Sequence, residues 1–223
     1  MRKQEKEILE KWQIFVKASK TKRTTLMDRF LARYHFSRKF KGIEADVKFS
    51  ILRGYSKTFH VFLAYAAFET LVMAIDQLAK RPGRPISVDF KISINSYEMF
   101  DDGIALALSN IKGLSKLLIE HAGNSRKLVQ IKEFFDVQYT EQELSSDKIA
   151  KLRLDLTESN NLLVIARAIH DMVAKGQLSP NGANAVSTKD GKALERLAKH
   201  VESHCQEIFA HYVAMIHDKY LSA

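Results

Sequence analysis

The chain of 223 residues is long enough for one large or two small domains, and its hydrophobic content of 46% is sufficient for a buried core. Only three prolines and nine glycines interrupt it, which favours an all-α fold. No run of about 18 apolar residues is present, and the N-terminus is charged, so we expect a cytoplasmic protein without a membrane segment. The single cysteine, Cys205, excludes an internal disulfide.

The net charge of +9 is concentrated near the N-terminus. Residues 1–57 hold sixteen Lys or Arg against six Asp or Glu, a balance of +10. A local cationic surface of this kind attracts a phosphate backbone or an acidic protein. The alternative is that these lysines and arginines only keep amphipathic helices solvated.

Two helices are expected before residue 42. Residues 4–19 place an apolar stripe on one face, in which Trp12 is interpreted as a packing anchor. A second helix, capped by Thr24 or Thr25, carries cations interleaved with aromatic residues, a combination suited to a single strand whose bases stack and whose phosphates pair. Its candidate nucleic-acid-binding residues are Arg23, Arg29, Arg33, Arg38 and Lys39. Aromatics at helical spacing also occur in cores with cations bordering them, so both interpretations stay open.

The middle of the chain gives mixed signals. Residues 44–52 fit either a strand or a short helix, whereas residues 55–80 predict a long helix that is apolar on most sides. Within it, Glu69 lies either opposite a cation of another helix or at a solvent edge. Residues 81–85 break the helix, and residues 86–94 alternate like a strand or hairpin, or form an extended arm across the bundle. Helical periodicity resumes over 97–122.

The most informative stretch is the predicted buried helix within residues 152–182. Arg167, His170 and Asp171 share one strip of this helix, with Lys175 at its edge. Burying such groups unpaired is costly, so we expect a second protein chain or a polyanion to meet them, and Glu69 is one possible partner for Arg167. Gly176 is expected to take the left-handed position that ends the helix.

A C-terminal helix is predicted from about residue 190 to 221, with an apolar seam that includes Cys205 and docks on the helix of residues 152–182. His200 and His204 share a face, but the spacing lacks the glutamate placement of a zinc-peptidase helix. No glycine-rich phosphate loop, serine elbow or paired-cysteine motif is present in the sequence. We therefore expect neither a metal site nor a cofactor.

Residues 166–176, which read ARAIHDMVAKG, resemble the motif of the HEPN superfamily of helical-bundle proteins. That family carries an arginine, a polar residue and a later histidine near the end of a buried helix in a dimer. In this register His170 stands in place of the arginine, Asp171 is the polar residue and Lys175 replaces the histidine. If the motif is aligned so that Arg167 is its arginine, no histidine follows at the required distance. The resemblance implies metal-independent ribonuclease chemistry or a role in bacterial defence or toxin–antitoxin systems, with the catalytic types changed here.

The expected architecture is an all-α, up-and-down bundle of about five core helices. Residues 1–42 form a basic N-terminal helical extension, and residues 43–223 form the HEPN-like domain. The leading hypothesis is a homodimer with impaired or absent ribonuclease activity that binds RNA or a protein of a defence system, its candidate site being Arg167, His170, Asp171 and Lys175. The alternatives are an active metal-independent endoribonuclease and a helical interaction or regulatory module that binds an acidic protein without nucleic acid.

Overall fold

The computed structural model describes residues 3–18, 25–46, 49–80, 161–176 and 188–221. These ranges contain five α-helices and no strands, which confirms the predicted all-α helical bundle for this part of the chain. The helices are α1 (Lys3–Ala18), α2 (Thr25–Lys39), α3 (Phe49–Ala79), α4 (Asn161–Ala174) and α5 (Thr188–Leu221). The predicted strand at 86–94, the predicted helix at 97–122 and Arg23 lie outside the described residues.

Among the described helices, α2, α4 and α5 all pack on α3, and α5 contacts each of the other four. The C-terminal helix α5 therefore contacts α4, as its apolar seam predicts, and packs on α3 as well. Helix α3 spans 31 residues with little polar face, whereas the described helix α4 spans 14. A longer helix that is apolar all round can bury contacts with several neighbours.

Helix α3 contains a segment that is as long and as apolar as a membrane-spanning helix. Its Gly54–Ala79 segment has the length and composition of a membrane-crossing helix, with a mean hydropathy of 1.6. In the bundle, 67% of its most apolar window is buried against the rest of the protein. Within the described ranges, it is the one helix with these properties.

The core draws on all five helices. Trp12 is 6% exposed and packs its ring 5.7 Å from Phe15 and 6.0 Å from Phe209 of α5, which confirms it as a packing anchor. The predicted seam of α5 is also confirmed, since Cys205 and the six apolar residues that share its face are all buried: Leu194, Leu197, Val201, Ile208, Tyr212 and Ile216. Trp12 and Phe15 belong to the same core cluster as side chains of α3 and α5. Core side chains therefore come from both sides of residue 42, and the domain boundary expected there remains a prediction.

The segment that fitted either a strand or a helix is helical from Phe49 onward. Helix α2 begins at Thr25, as its expected cap predicts, and buries Met27 and Phe30. It runs antiparallel to α3. Arg33 contacts Thr70 far along α3, whereas Phe40, which follows α2, contacts Phe59 near the start of α3.

Candidate nucleic-acid interface

His170 and Asp171 form a contact pair on α4. The Nδ1 of His170 lies 3.1 Å from an Oδ1 of Asp171, and the two side chains are 16% and 28% exposed. The imidazole stacks on Phe62 of α3, with ring centres 4.7 Å apart and planes at 7°, and lies 5.3 Å from the ring of Tyr65. The helix–helix contact between α3 and α4 thus fixes the histidine ring while leaving its edge partly accessible.

Burial and three charged groups act on the pKa of Tyr65, beside this pair. Burial raises the pKa of Tyr65 to about 12, Arg167 opposes the rise, and Glu69 and Asp171 add to it. Arg167, Glu69 and Asp171 are therefore near enough to act on the charge of one phenol. The described ion pairs do not include one between Arg167 and Glu69, and both side chains are exposed, so Glu69 lies at a solvent edge.

The four residues predicted as a catalytic set are only partly brought together. His170 and Asp171 are in contact, and Arg167 lies one turn earlier on the same helix. Burial of Arg167 was a wrong expectation, because its side chain is exposed. Lys175 is also exposed, in the turn that ends α4, where its amide donates to the Asp171 carbonyl at 3.1 Å. Gly176 follows with a φ of +65°, which confirms the predicted left-handed position.

A row of aromatic rings links α2 to the His170 site. Phe36 lies 6.4 Å from Phe40, Phe40 lies 5.8 Å from Phe59, and Phe59 stacks on Phe62 at 5.2 Å and 18°. With the stacking of Phe62 on His170, we call these five rings the aromatic row. Phe36 is 57% exposed and the other four are half-buried. The row arises because ring pairs spaced three or four residues apart on one helix share a face.

The four described cations of α2 do not share one surface. Arg29, Arg33 and Phe36 are spaced four and seven residues apart and lie on one strip, so two cations extend the row. The Arg33 Nη1 donates to the Thr70 hydroxyl at 2.6 Å, using one of its five N–H groups. Arg38 stands nine residues after Arg29, about half a turn round the helix, with its guanidinium 6.0 Å from the Tyr34 ring.

A buried polar junction lies behind the row, between α2, α3 and α5. The Ser37 hydroxyl donates to Oε1 of Glu202 at 2.6 Å, and His60 Nε2 lies 2.9 Å from the same oxygen, so it donates an N–H to the carboxylate. Glu202 is 4% exposed, and the His60 ring is 5.8 Å from Phe40. Sequence reasoning did not identify this junction. The available signal was that Ser37 lies seven residues from Phe30, on the core strip of α2.

Helix α5 carries other buried titratable groups that do not form a ligand set. Burial and the nearby His200 lower the pKa of His204 to about 4, and its ring lies 5.8 Å from Phe68. Burial raises the pKa of the Cys205 thiol above its usual value. Among the described residues, no cluster of three or more His, Cys, Asp or Glu is arranged to hold a metal ion.

No protein-family model, curated protein or solved structure matches this chain.

Proposed function

We propose that this protein is a HEPN-like domain that binds single-stranded RNA along the aromatic row, with impaired or absent ribonuclease activity. The observation that carries the proposal is the continuity of the row from the exposed Phe36 to the half-buried His170. Exposed or partly exposed aromatic rings offer stacking faces to unpaired bases, and flanking cations pair with phosphates.

Cations stand at both ends of the row. Arg29 and Arg33 extend it along α2, and Arg167 lies on α4 three residues before His170. A strand laid along the rings therefore meets two arginines at the α2 end, and at the α4 end it meets Arg167 together with the carboxylates of Glu69 and Asp171. Such binding weakens steeply with salt, because each neutralised phosphate releases condensed counterions.

The test is titration of a fluorescently labelled single-stranded RNA by anisotropy at two salt concentrations. Phe36→Ala should weaken binding by about 1–3 kcal/mol, the value of one base–aromatic stack. Ile14→Ala is the matched control, because Ile14 is equally exposed, at 54%, but lies on α1. Equal effects of the two variants would exclude stacking on the row.

A second comparison separates nucleic acid from an acidic protein partner. Arg29→Ala should reduce the slope of log affinity against log salt by about 0.7. Lys17→Ala, at an exposed cation of α1, should leave the slope unchanged. If the protein binds no RNA at low salt, the alternative of a helical module for an acidic protein is favoured.

One observation favours the second candidate, a metal-independent endoribonuclease. Asp171 holds the Nδ1 edge of His170, the arrangement that orients an imidazole so that its other nitrogen can take or give a proton. Arg167 on the same helix face would stabilise phosphate charge. Cleavage of labelled RNA in the presence of a chelator, lost in His170→Ala and retained in His211→Ala, would establish this activity.

The proposal includes a homodimer and a partner from a bacterial defence or toxin–antitoxin system, since the HEPN resemblance implies both. Sedimentation equilibrium measures the first directly, because the chain mass is 25.5 kDa. A monomer at micromolar concentration would remove the dimer from the proposal without affecting RNA binding by the row.

A further inference from the structure

One end of the aromatic row lies between α3 and α4 and carries charge of both signs. Phe62 and Glu69, seven residues apart, share one strip of α3, and Arg167 precedes His170 by three residues on α4. The stacking of Phe62 on His170, with ring centres 4.7 Å apart, brings these two strips together. Both charges act on the pKa of Tyr65, whose ring lies 5.3 Å from His170. Because Glu69 and Arg167 are exposed, a molecule resting on the ring edges has a carboxylate on its α3 side and a guanidinium on its α4 side.

This balance of charge is better suited to a base than to a phosphate. Of the three charged groups that act on Tyr65, two are carboxylates, Glu69 and Asp171, and one is the guanidinium of Arg167. Carboxylates repel phosphates, but an ionised carboxylate accepts hydrogen bonds from the N–H groups of a base edge. A guanidinium only donates, so it binds base acceptors. The two together select a base that presents donors on one edge and acceptors on the next.

Guanine is the base with this pattern. Its N1–H and N2–H donors are adjacent, which matches the two oxygens of a carboxylate, and its O6 and N7 acceptors match two N–H groups of an arginine. Adenine and cytosine place a ring acceptor beside their amino group, and uracil flanks its single N–H with two carbonyls. A carboxylate that faces any of these three bases therefore meets an acceptor next to the donor.

We propose that the α4 end of the aromatic row is a guanine-selective subsite, in which Glu69 accepts from N1–H and N2–H and Arg167 donates to O6 and N7. The base rests on the partly exposed edges of Phe62 and His170, in the edge-to-face manner of aromatic pairs. This inference rests on the proposed binding of RNA and adds a base preference to it.

The test compares labelled single-stranded RNAs that differ at one position. They are a uridine oligomer, the same oligomer with one central guanosine, and the same oligomer with inosine, which lacks the 2-amino group. In anisotropy titrations the guanosine strand should bind about fivefold or more tightly than the uridine strand, the lower limit for one bidentate base contact. Inosine should bind about twofold or more weakly than guanosine, because one donor is lost. Equal affinities for all three would overturn the subsite and leave RNA binding by the row intact, whereas no binding of any strand would overturn both.

Glu69→Gln tests the α3 side of the subsite. Glutamine keeps the shape of the side chain but replaces one acceptor oxygen with an NH₂ donor. The preference for guanosine over uridine should disappear, and the uridine strand should bind no more weakly, since an anion near its phosphates has been removed. Asp76→Asn is the matched control, because Asp76 is exposed, lies seven residues after Glu69 on the same strip of α3, and has the same charge. Equal losses of guanosine preference in the two variants would overturn the proposal.

Arg167→Lys tests the α4 side. Lysine keeps the positive charge but not the planar fork that binds two acceptors at once. The preference for guanosine should fall about fivefold or more, while the slope of log affinity against log salt should stay unchanged because the charge is retained. Full guanosine preference in Arg167→Lys would overturn the bidentate contact to O6 and N7.

Discussion

Removing the Glu202 carboxylate should cost this protein more stability than any exposed acidic substitution. Glu202→Ala leaves the buried Ser37 hydroxyl and the His60 imidazole, which is 11% exposed, without the oxygen that both contact. Hydrogen bonds to a charged group contribute about 1.5–3 kcal/mol each, and removing one member of a buried charged set costs about 3–5 kcal/mol. Because both bonds here share one atom, we expect a loss of about 3 kcal/mol.

Thermal and urea unfolding measure this loss. For a chain of this size, each kcal/mol lowers the midpoint by roughly 2–4 °C, so the shift should be roughly 6–12 °C. Glu207→Ala is the matched control, five residues later on α5 and exposed, and should change the midpoint by less than about 2 °C. Equal shifts in the two variants would refute the assignment of Glu202 to a buried junction.

A triple variant tests the physical cause. Replacing all three members by apolar side chains, Ser37→Ala with His60→Phe and Glu202→Leu, removes the polar groups together rather than leaving some unpaired. Full replacement of a buried polar set is often neutral, so the triple variant should be more stable than Glu202→Ala alone. If it is less stable, the cost arises from packing volume and not from unpaired groups.

Three further predictions concern pH and backbone conformation. Hydrogen bonds from Lys57 and Lys199 lower the pKa of Glu195 to about 2. The stability that Glu195 contributes is therefore complete above its unfolded pKa of about 4.5 and is lost as pH falls toward 2. Glu195→Gln should flatten the dependence of stability on pH in this range, by under about 1 kcal/mol because the carboxylate is a third exposed. Burial lowers the pKa of His204 from 6.5 to about 4. Between these two pH values the unfolded chain binds a proton that the folded chain does not, so stability should fall as pH drops from 6.5 to 4. In His204→Leu the dependence of stability on pH over this range should be smaller. Gly176→Ala forces a side chain into a left-handed conformation at φ +65° and should cost about 1 kcal/mol in urea unfolding. Gly191→Ala, in α5, adds a Cβ that meets only an ordinary 3.5 Å contact with Cγ of Lys57 on α3, and should be neutral or stabilising.

Local patterning was enough to predict most of the described helices. The amphipathic stripe around Trp12 and the seam around Cys205 each have a period of 3.6, and both are buried as that period requires. The same reasoning could not predict which helices pack on one another. A helix that is apolar all round has no stripe to indicate its neighbours, so the contacts of α3 with α2, α4 and α5 emerge only in three dimensions.

The site was harder to predict because it depends on contacts between helices. His170 and Asp171 were found from their helix strip, but Phe59 and Phe62 were not, since an aromatic pair on an apolar helix reads as ordinary core. The cations of α2 were treated as one patch, although a nine-residue separation turns Arg38 to the opposite side from Arg29. The spacing of these cations in the sequence already predicts that they lie on two sides of α2. Because α2 packs between two neighbours, the two sides face different surfaces of the protein.

The buried junction should influence RNA binding by the row, because it fixes the orientation of α2. Ser37 points from α2 to Glu202, while the row follows one flank of α2 through Phe40, and Tyr34 on the other flank donates its hydroxyl to Gln206 at 3.3 Å. If α2 rotates against its neighbours, Phe40 loses its place beside His60. Glu202→Ala, assayed well below its midpoint, should therefore weaken RNA binding, although Glu202 is not part of the row. An unchanged affinity in a folded Glu202→Ala protein would mean that the Arg33–Thr70 bond and apolar packing alone hold α2 in register.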